Sequence, residues 1–166
     1  MLEAPTELLA QLQDAAEEAL EAANRCWELA YRLAESSPAE GGAWEAKVRA
    51  MTLFLMVLAA AEQVAAGEAA LDSEIGGRLY RAAEDSLRAS LSAWTVAFDT
   101  ARAGGNDGMQ WIVEEAAWNA TRRANLVCIV AWELGDELVA AGREAVREAL
   151  LGVPAANDSE LEVSAV

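Results

Sequence analysis

Residues 50–61 read AMTLFLMVLAAA, with Thr52 the lone polar side chain and the next charge at Glu62. A helix built from such a run is apolar around its whole circumference and offers water no side. At a dozen residues the run falls short of the roughly 20 that a helix needs to cross a bilayer. Its surroundings must therefore cover it: the rest of its own bundle, a second chain or a ligand. The chain reads as one that binds through helices rather than one that does chemistry with side chains.

Composition supports long helices. The 166 residues are 54% hydrophobic, with three prolines and glycines confined to a few clusters. That is enough apolar material for one core, and we expect a single domain over residues 1–152, followed by a polar, disordered acidic tail over 153–166. The net charge of −16 is spread along the chain, −6 in residues 1–50, −4 in 51–110 and −6 in 111–166. Spread acidity argues against nucleic acid, whose phosphates need clustered Lys and Arg, and against an anionic membrane surface. It fits general solubility or a salty cytoplasm, with a basic protein partner as the alternative.

The chain has no histidine, so it lacks the side chain best suited to proton transfer near neutral pH and the usual zinc and di-iron ligand. The two cysteines, Cys26 and Cys128, have no metal-ligand spacing and fall on apolar helix stripes, which reads as buried free thiols. We expect no metal and no cofactor. The single lysine, Lys47, sits between Glu45 and Arg49 and reads as solvated. The start, MLEAPTELL, shows no basic segment leading into an apolar one, so the expected location is cytoplasmic.

Four helices follow from the periodicity. The first runs from about 7 to 35, with Thr6 as N-cap and an inward seam of Leu8, Leu12, Ala15, Ala19, Ala22, Cys26, Leu29 and Leu33. Ser36, Ser37 and Pro38 end it, and Gly41-Gly42 completes a loop. The second runs from about 43 to 66 and holds the apolar run. The third, about 73–103, is capped by Asp72 or Ser73 and turns Ile75, Leu79, Ala82, Leu87, Trp94, Ala97 and Ala101 inward. The GGNDG turn at 104–108 leads into a fourth helix, about 109–151, about 65 Å long if straight. Either it kinks near Gly135 or Gly142, or it outruns its neighbours. Short loops make consecutive helices antiparallel, so the expected fold is all-α, an up-down-up-down four-helix bundle. No internal repeat suggests a solenoid.

On the fourth helix Trp111, Trp118, Asn125 and Trp132 recur at heptad spacing beside a stripe that includes Thr121 and Cys128. Small residues between them allow close helix packing. Alternatively these six residues wall a pocket for an apolar small molecule, which would make the protein a carrier or sensor. Glu114 and Glu115, followed by Glu133 and Asp136, resemble part of the glutamate motif with which all-α nucleotide pyrophosphatases hold Mg²⁺. The resemblance spans about 25 residues and Trp118 stands where the third glutamate belongs. On one straight helix Glu115 and Glu133 are about 27 Å apart, too far to share an ion.

The preferred expectation is a non-enzymatic interaction protein. In a four-helix bundle some of Leu53, Phe54, Leu55, Met56, Val57 and Leu58 must point away from the core. Three such side chains left in water forgo roughly 5–8 kcal/mol of burial. The expected partner is a second copy of the chain, or a protein regulated by it in the manner of an antitoxin or immunity protein.

Overall fold

The computed structural model describes residues 3–35, 37–105 and 108–152, and forms α1 (Glu3–Leu33), α2 (Pro38–Ala65), α3 (Ser73–Ala103) and α4 (Gly108–Leu151). Each helix packs on the next and α4 returns to α1, whereas the diagonal pair α2 and α4 barely touch. The result is the expected antiparallel four-helix bundle.

Two helix starts differ from expectation. Ser37, with extended backbone, accepts a hydrogen bond from the Glu40 amide (3.4 Å), and Pro38 opens α2. A serine cap followed by proline outweighs the low propensity of Gly41 and Gly42, which lie in the first turns of the helix rather than in a loop. Thr6 is likewise not a cap, because α1 already runs from Glu3 with Pro5 buried in its first turn. Asp72 caps α3 as expected, accepting from the Ile75 amide at 3.0 Å. Gly67 ends α2 with φ of 71°. The tail at 153–166 and part of the GGNDG turn lie outside the described residues.

α4 is continuous over 44 residues and outruns its neighbours instead of breaking. Its last buried side chain is Leu138, and Leu150 is 80% exposed. About 20 Å of helix therefore projects past the core.

The innermost positions are small. α1 buries Ala16, Ala19, Ala23, Cys26 and Ala30, so its seam is turned from the expected one and leaves Ala15, Ala22, Leu29 and Leu33 half-buried. α3 does the same, with Ala83, Ser86, Ser90 and Ala93 innermost and Ala82, Leu87 and Trp94 at the flank. Alanine and serine let helix axes approach, and the leucines and indoles then fill the grooves beside them.

These seams expose a duplication. The buried residues Leu12, Ala16, Ala19, Ala23, Cys26, Ala30 and Ala34 of the first hairpin recur 67 positions later as Leu79, Ala83, Ser86, Ser90, Ala93, Ala97 and Ala101. Ala46, Ala50, Leu53, Val57 and Ala60 of α2 recur at the same interval as Val113, Ala117, Ala120, Ala124 and Val127 of α4. Sequence follows in part: AAEEALEA at 15–22 stands against AAEDSLRA at 82–89, and Trp27, Ala30 and Trp44 against Trp94, Ala97 and Trp111. The bundle is two copies of one helical hairpin, related by an approximate twofold along its axis.

The thiols sit in different parts of the core. Cys26 packs with Ala30, Ala97, Val113 and Ala120, whereas Cys128 borders the cluster of Leu12, Leu53, Leu79 and Leu134. Burial pushes the Cys26 thiol up to about 11. Burial, and then the Glu84 carboxylate, raise that of Cys128. The hydroxyl of fully buried Ser86 has no hydrogen-bond partner, and its counterpart in the first hairpin is Ala19.

Ser86→Ala should therefore be neutral or stabilising, by up to about 1 kcal/mol in a denaturant titration; a marked loss of stability would show that the hydroxyl is needed. Iodoacetamide at neutral pH should label Cys128 well ahead of Cys26 in the folded protein, as peptide mass mapping would show. Unfolded Cys26 loses its proton near 9 and the folded thiol keeps it to about 11, so the thiolate is favoured only by the unfolded chain. Stability should fall as pH rises through that window, and less so in Cys26→Ala.

Candidate interaction surface

α2 carries two apolar seams on opposite sides. One, Ala43, Ala46, Ala50, Leu53, Val57 and Ala60, is buried in the bundle. The other, Trp44, Val48, Met51, Leu55 and Leu58, advances in the same steps of four and three but faces outward. Leu55 is 53% exposed and Trp44 49%; Val48 and Met51 are also exposed, and Leu58 is half-buried. Thr52, the one polar residue of the run, donates its hydroxyl to the Val48 carbonyl at 2.9 Å, so it presents little free polarity. Between 46 and 61 the helix has Lys47 and Arg49 but no acidic residue, in a chain of net charge −16.

Of the six partner-binding residues expected from the run, Leu53 and Val57 are core and closed to any partner, Phe54, Met56 and Leu58 lie at the flanks, and Leu55 points outward. Trp44, Val48 and Met51, outside the 53–58 segment, are exposed on the same side as Leu55. The 44-48-51-55-58 spacing in the sequence places them on one helix side.

The apolar run is part of a 28-residue helix. By length and composition α2 is long and apolar enough to cross a bilayer. Its inward seam packs against the other helices, while only 22% of its most apolar stretch is buried inside the bundle.

At the N-terminal end of the outer seam, Trp44 lies against Trp27 (centroids 5.4 Å apart) and Trp27 against Tyr31 (5.8 Å). Lys47 is not simply solvated: its Nζ stands 4.0 Å from the Trp27 centroid and 5.3 Å from that of Trp44. The indole faces attract the ammonium, and the three groups tie α1 to α2. The second hairpin repeats the rings as Trp94, Phe98 and Trp111 and reverses the charge. Glu114, the counterpart of Lys47, accepts a hydrogen bond from Trp94 Nε1 at 2.8 Å. The half-buried carboxylate is thus partnered by an indole N–H.

The alternative pocket does not assemble its six residues around one space. Trp111, Trp118, Asn125 and Trp132 are exposed, and Cys128 is half-buried. Thr121 is buried and donates to the carbonyls of Ser90 (3.0 Å) and Ala117 (2.9 Å). Trp118 rests on Trp94 at 5.0 Å and joins the wall of an open groove of about 540 Å³ between α1 and α4. Trp132 borders a separate groove of about 320 Å³ between α3 and α4. Helix contact fills the intervening small stripe: a Cβ on Gly76 would lie 3.3 Å from the Gly135 Cα.

Glu115 and Glu133 lie on the unbroken α4, so the separation expected between them stands. No group of three or more potential ligands gathers to hold a metal among the described residues. No protein-family model, curated protein or solved structure matches this chain.

Proposed function

We propose that the protein is a non-enzymatic association protein that engages a polypeptide partner through the outer seam of α2. The observation that carries this reading is a contrast between the two hairpins. Where α2 places Trp44, Val48, Met51, Leu55 and Leu58, the equivalent positions of α4 hold Trp111, Glu115, Trp118, Arg122 and Asn125. The same fold accepts charge and amide at these positions, so the bundle does not require the apolar residues of α2. Leaving Val48, Met51 and Leu55 about half in water forgoes roughly 2–4 kcal/mol of burial. The stripe is continuous along α2 and free of acidic side chains between residues 46 and 61, which favours a partner's apolar side chains over water.

The test is the native mass of the protein isolated from its source at micromolar concentration, beside Leu55→Glu. The wild type should run heavier than a single 17.6 kDa chain. Leu55→Glu should return the single chain with its helical circular dichroism unchanged. A wild-type protein that is always a lone chain, an assembly indifferent to Leu55→Glu, unfolding of that variant, or recovery on phosphatidylcholine vesicles instead of with protein would each overturn the reading.

A further inference from the structure

We propose that the groove between α2 and α3 is a binding site for the phosphate group of a small molecule, a site separate from the apolar seam. Two adjoining hollows of about 260 and 400 Å³ run along this groove and share Arg49 and Asp85. Arg78 and Arg81 stand at the end that holds Met56, and Arg88 at the end that holds Gly42. Four of the chain's eleven arginines thus line one groove, in a molecule of net charge −16. Glu45 takes the Nε of Arg49 at 2.9 Å. Arg78, Arg81 and Arg88 are exposed and make no ion pair among the described residues. Setting the carboxylates of Glu45 and Asp85 against the four guanidinium groups leaves two positive charges for a ligand to match.

The equivalent groove, between α1 and α4, shows that the fold does not ask for these arginines. At the positions 67 residues away, Gln11, Asp14 and Glu21 stand for Arg78, Arg81 and Arg88, and Ala116 stands for Arg49. That groove settles its charge internally: Glu18, the counterpart of Asp85, pairs with Arg123, whose own counterpart is Met56. The α2–α3 groove instead gathers more cation than its carboxylates balance. Like charges three residues apart on a helix, as Arg78 and Arg81 are, oppose folding. A set that packing does not require and that repels itself points to an anion supplied from outside. The guanidinium fork presents paired N–H donors that match two oxygens of one phosphate. Arg78 and Arg81 lie about 4.5 Å apart along the axis, close enough to share such a group, and Arg88 lies about 15 Å from Arg78. Met56 and Ala82 give the same end an apolar lining for the organic part of the ligand. The cluster is short for a nucleic-acid strand, whose affinity comes from many phosphates in a row. The acidity of the rest of the chain is screened beyond a Debye length, about 10 Å at ordinary salt.

Calorimetric titration of the full chain with inorganic pyrophosphate, at ionic strength held constant with sodium chloride, tests the site. The wild type should show saturable binding at one site per chain. Arg78→Gln combined with Arg81→Asp installs the residues that the first hairpin already carries at these positions, so helical circular dichroism should be kept while affinity falls at least several-fold. Arg25→Gln, in the α1–α4 groove, should bind as the wild type does. Absence of saturable binding to the wild type would overturn the proposal, as would a double variant that binds unchanged. An equal loss in Arg25→Gln would overturn it too, since it would mark a diffuse attraction of anions to arginine and not a site. Loss of helicity in the double variant would overturn the premise that the fold does not need these arginines.

Discussion

Helix α2 presents two apolar seams on opposite sides, and a four-helix bundle has room to bury one. The inward seam is built of alanine with Leu53 and Val57, and it draws α1 and α3 close on either side. That approach is what pushes Trp44, Val48, Met51 and Leu55 outward, since residues that alternate with an inward seam have nowhere else to go. The exposed stripe thus follows directly from packing the core well. The helix is delimited at its start by Ser37 and Pro38 and at its end by Gly67, and the packing of its inward seam sets its rotation.

The duplicated hairpin shows which features the fold needs and which it tolerates. Both copies keep small residues at the innermost positions and an indole at Trp27 and Trp94, and again at Trp44 and Trp111. They differ outside. Lys47 rests over two indole faces, whereas Glu114 takes the indole N–H of Trp94, so the same ring scaffold is completed once by a cation and once by an anion. The outer positions of α4 carry Glu115 and Arg122 where α2 carries Val48 and Leu55. Since the buried pattern is common to both, this divergence belongs to what each face meets and not to folding.

Much of the fold was legible in the sequence. The four helices, and a cap at Asp72 or Ser73, follow from periodicity and punctuation alone. The start of α2 was misplaced because two glycines suggested a loop, while the Ser-Pro signal just before them is the stronger one. The inward faces of α1 and α3 are less legible, because leucine is not the mark of burial here: alanines and serines are innermost and Leu29, Leu33 and Leu87 fill the grooves. The repeat escaped notice since its identities are few, and only the shared burial of Ala16 with Ala83 or Ala50 with Ala117 makes the register plain. The run at 50–61 mixes both sides of α2: Leu53 and Val57 are buried, whereas Leu55 is exposed. Contiguity says that a segment is apolar; spacing says which residues face out. The indole stripe of α4 misled in the opposite sense, because aromatic spacing cannot tell a lined cavity from rings stacked on a surface.

The central claim is that the outer seam of α2 is covered when the protein works. Hydroxyl-radical footprinting reads this in the unmodified chain by comparing Met51, on the seam, with Met109, which lies away from it at the start of α4 and is 55% exposed. Oxidation of Met51 should fall as protein concentration rises into the range of assembly, while that of Met109 stays constant. Equal oxidation of Met51 at every concentration, in protein that keeps its native partners, would contradict the account.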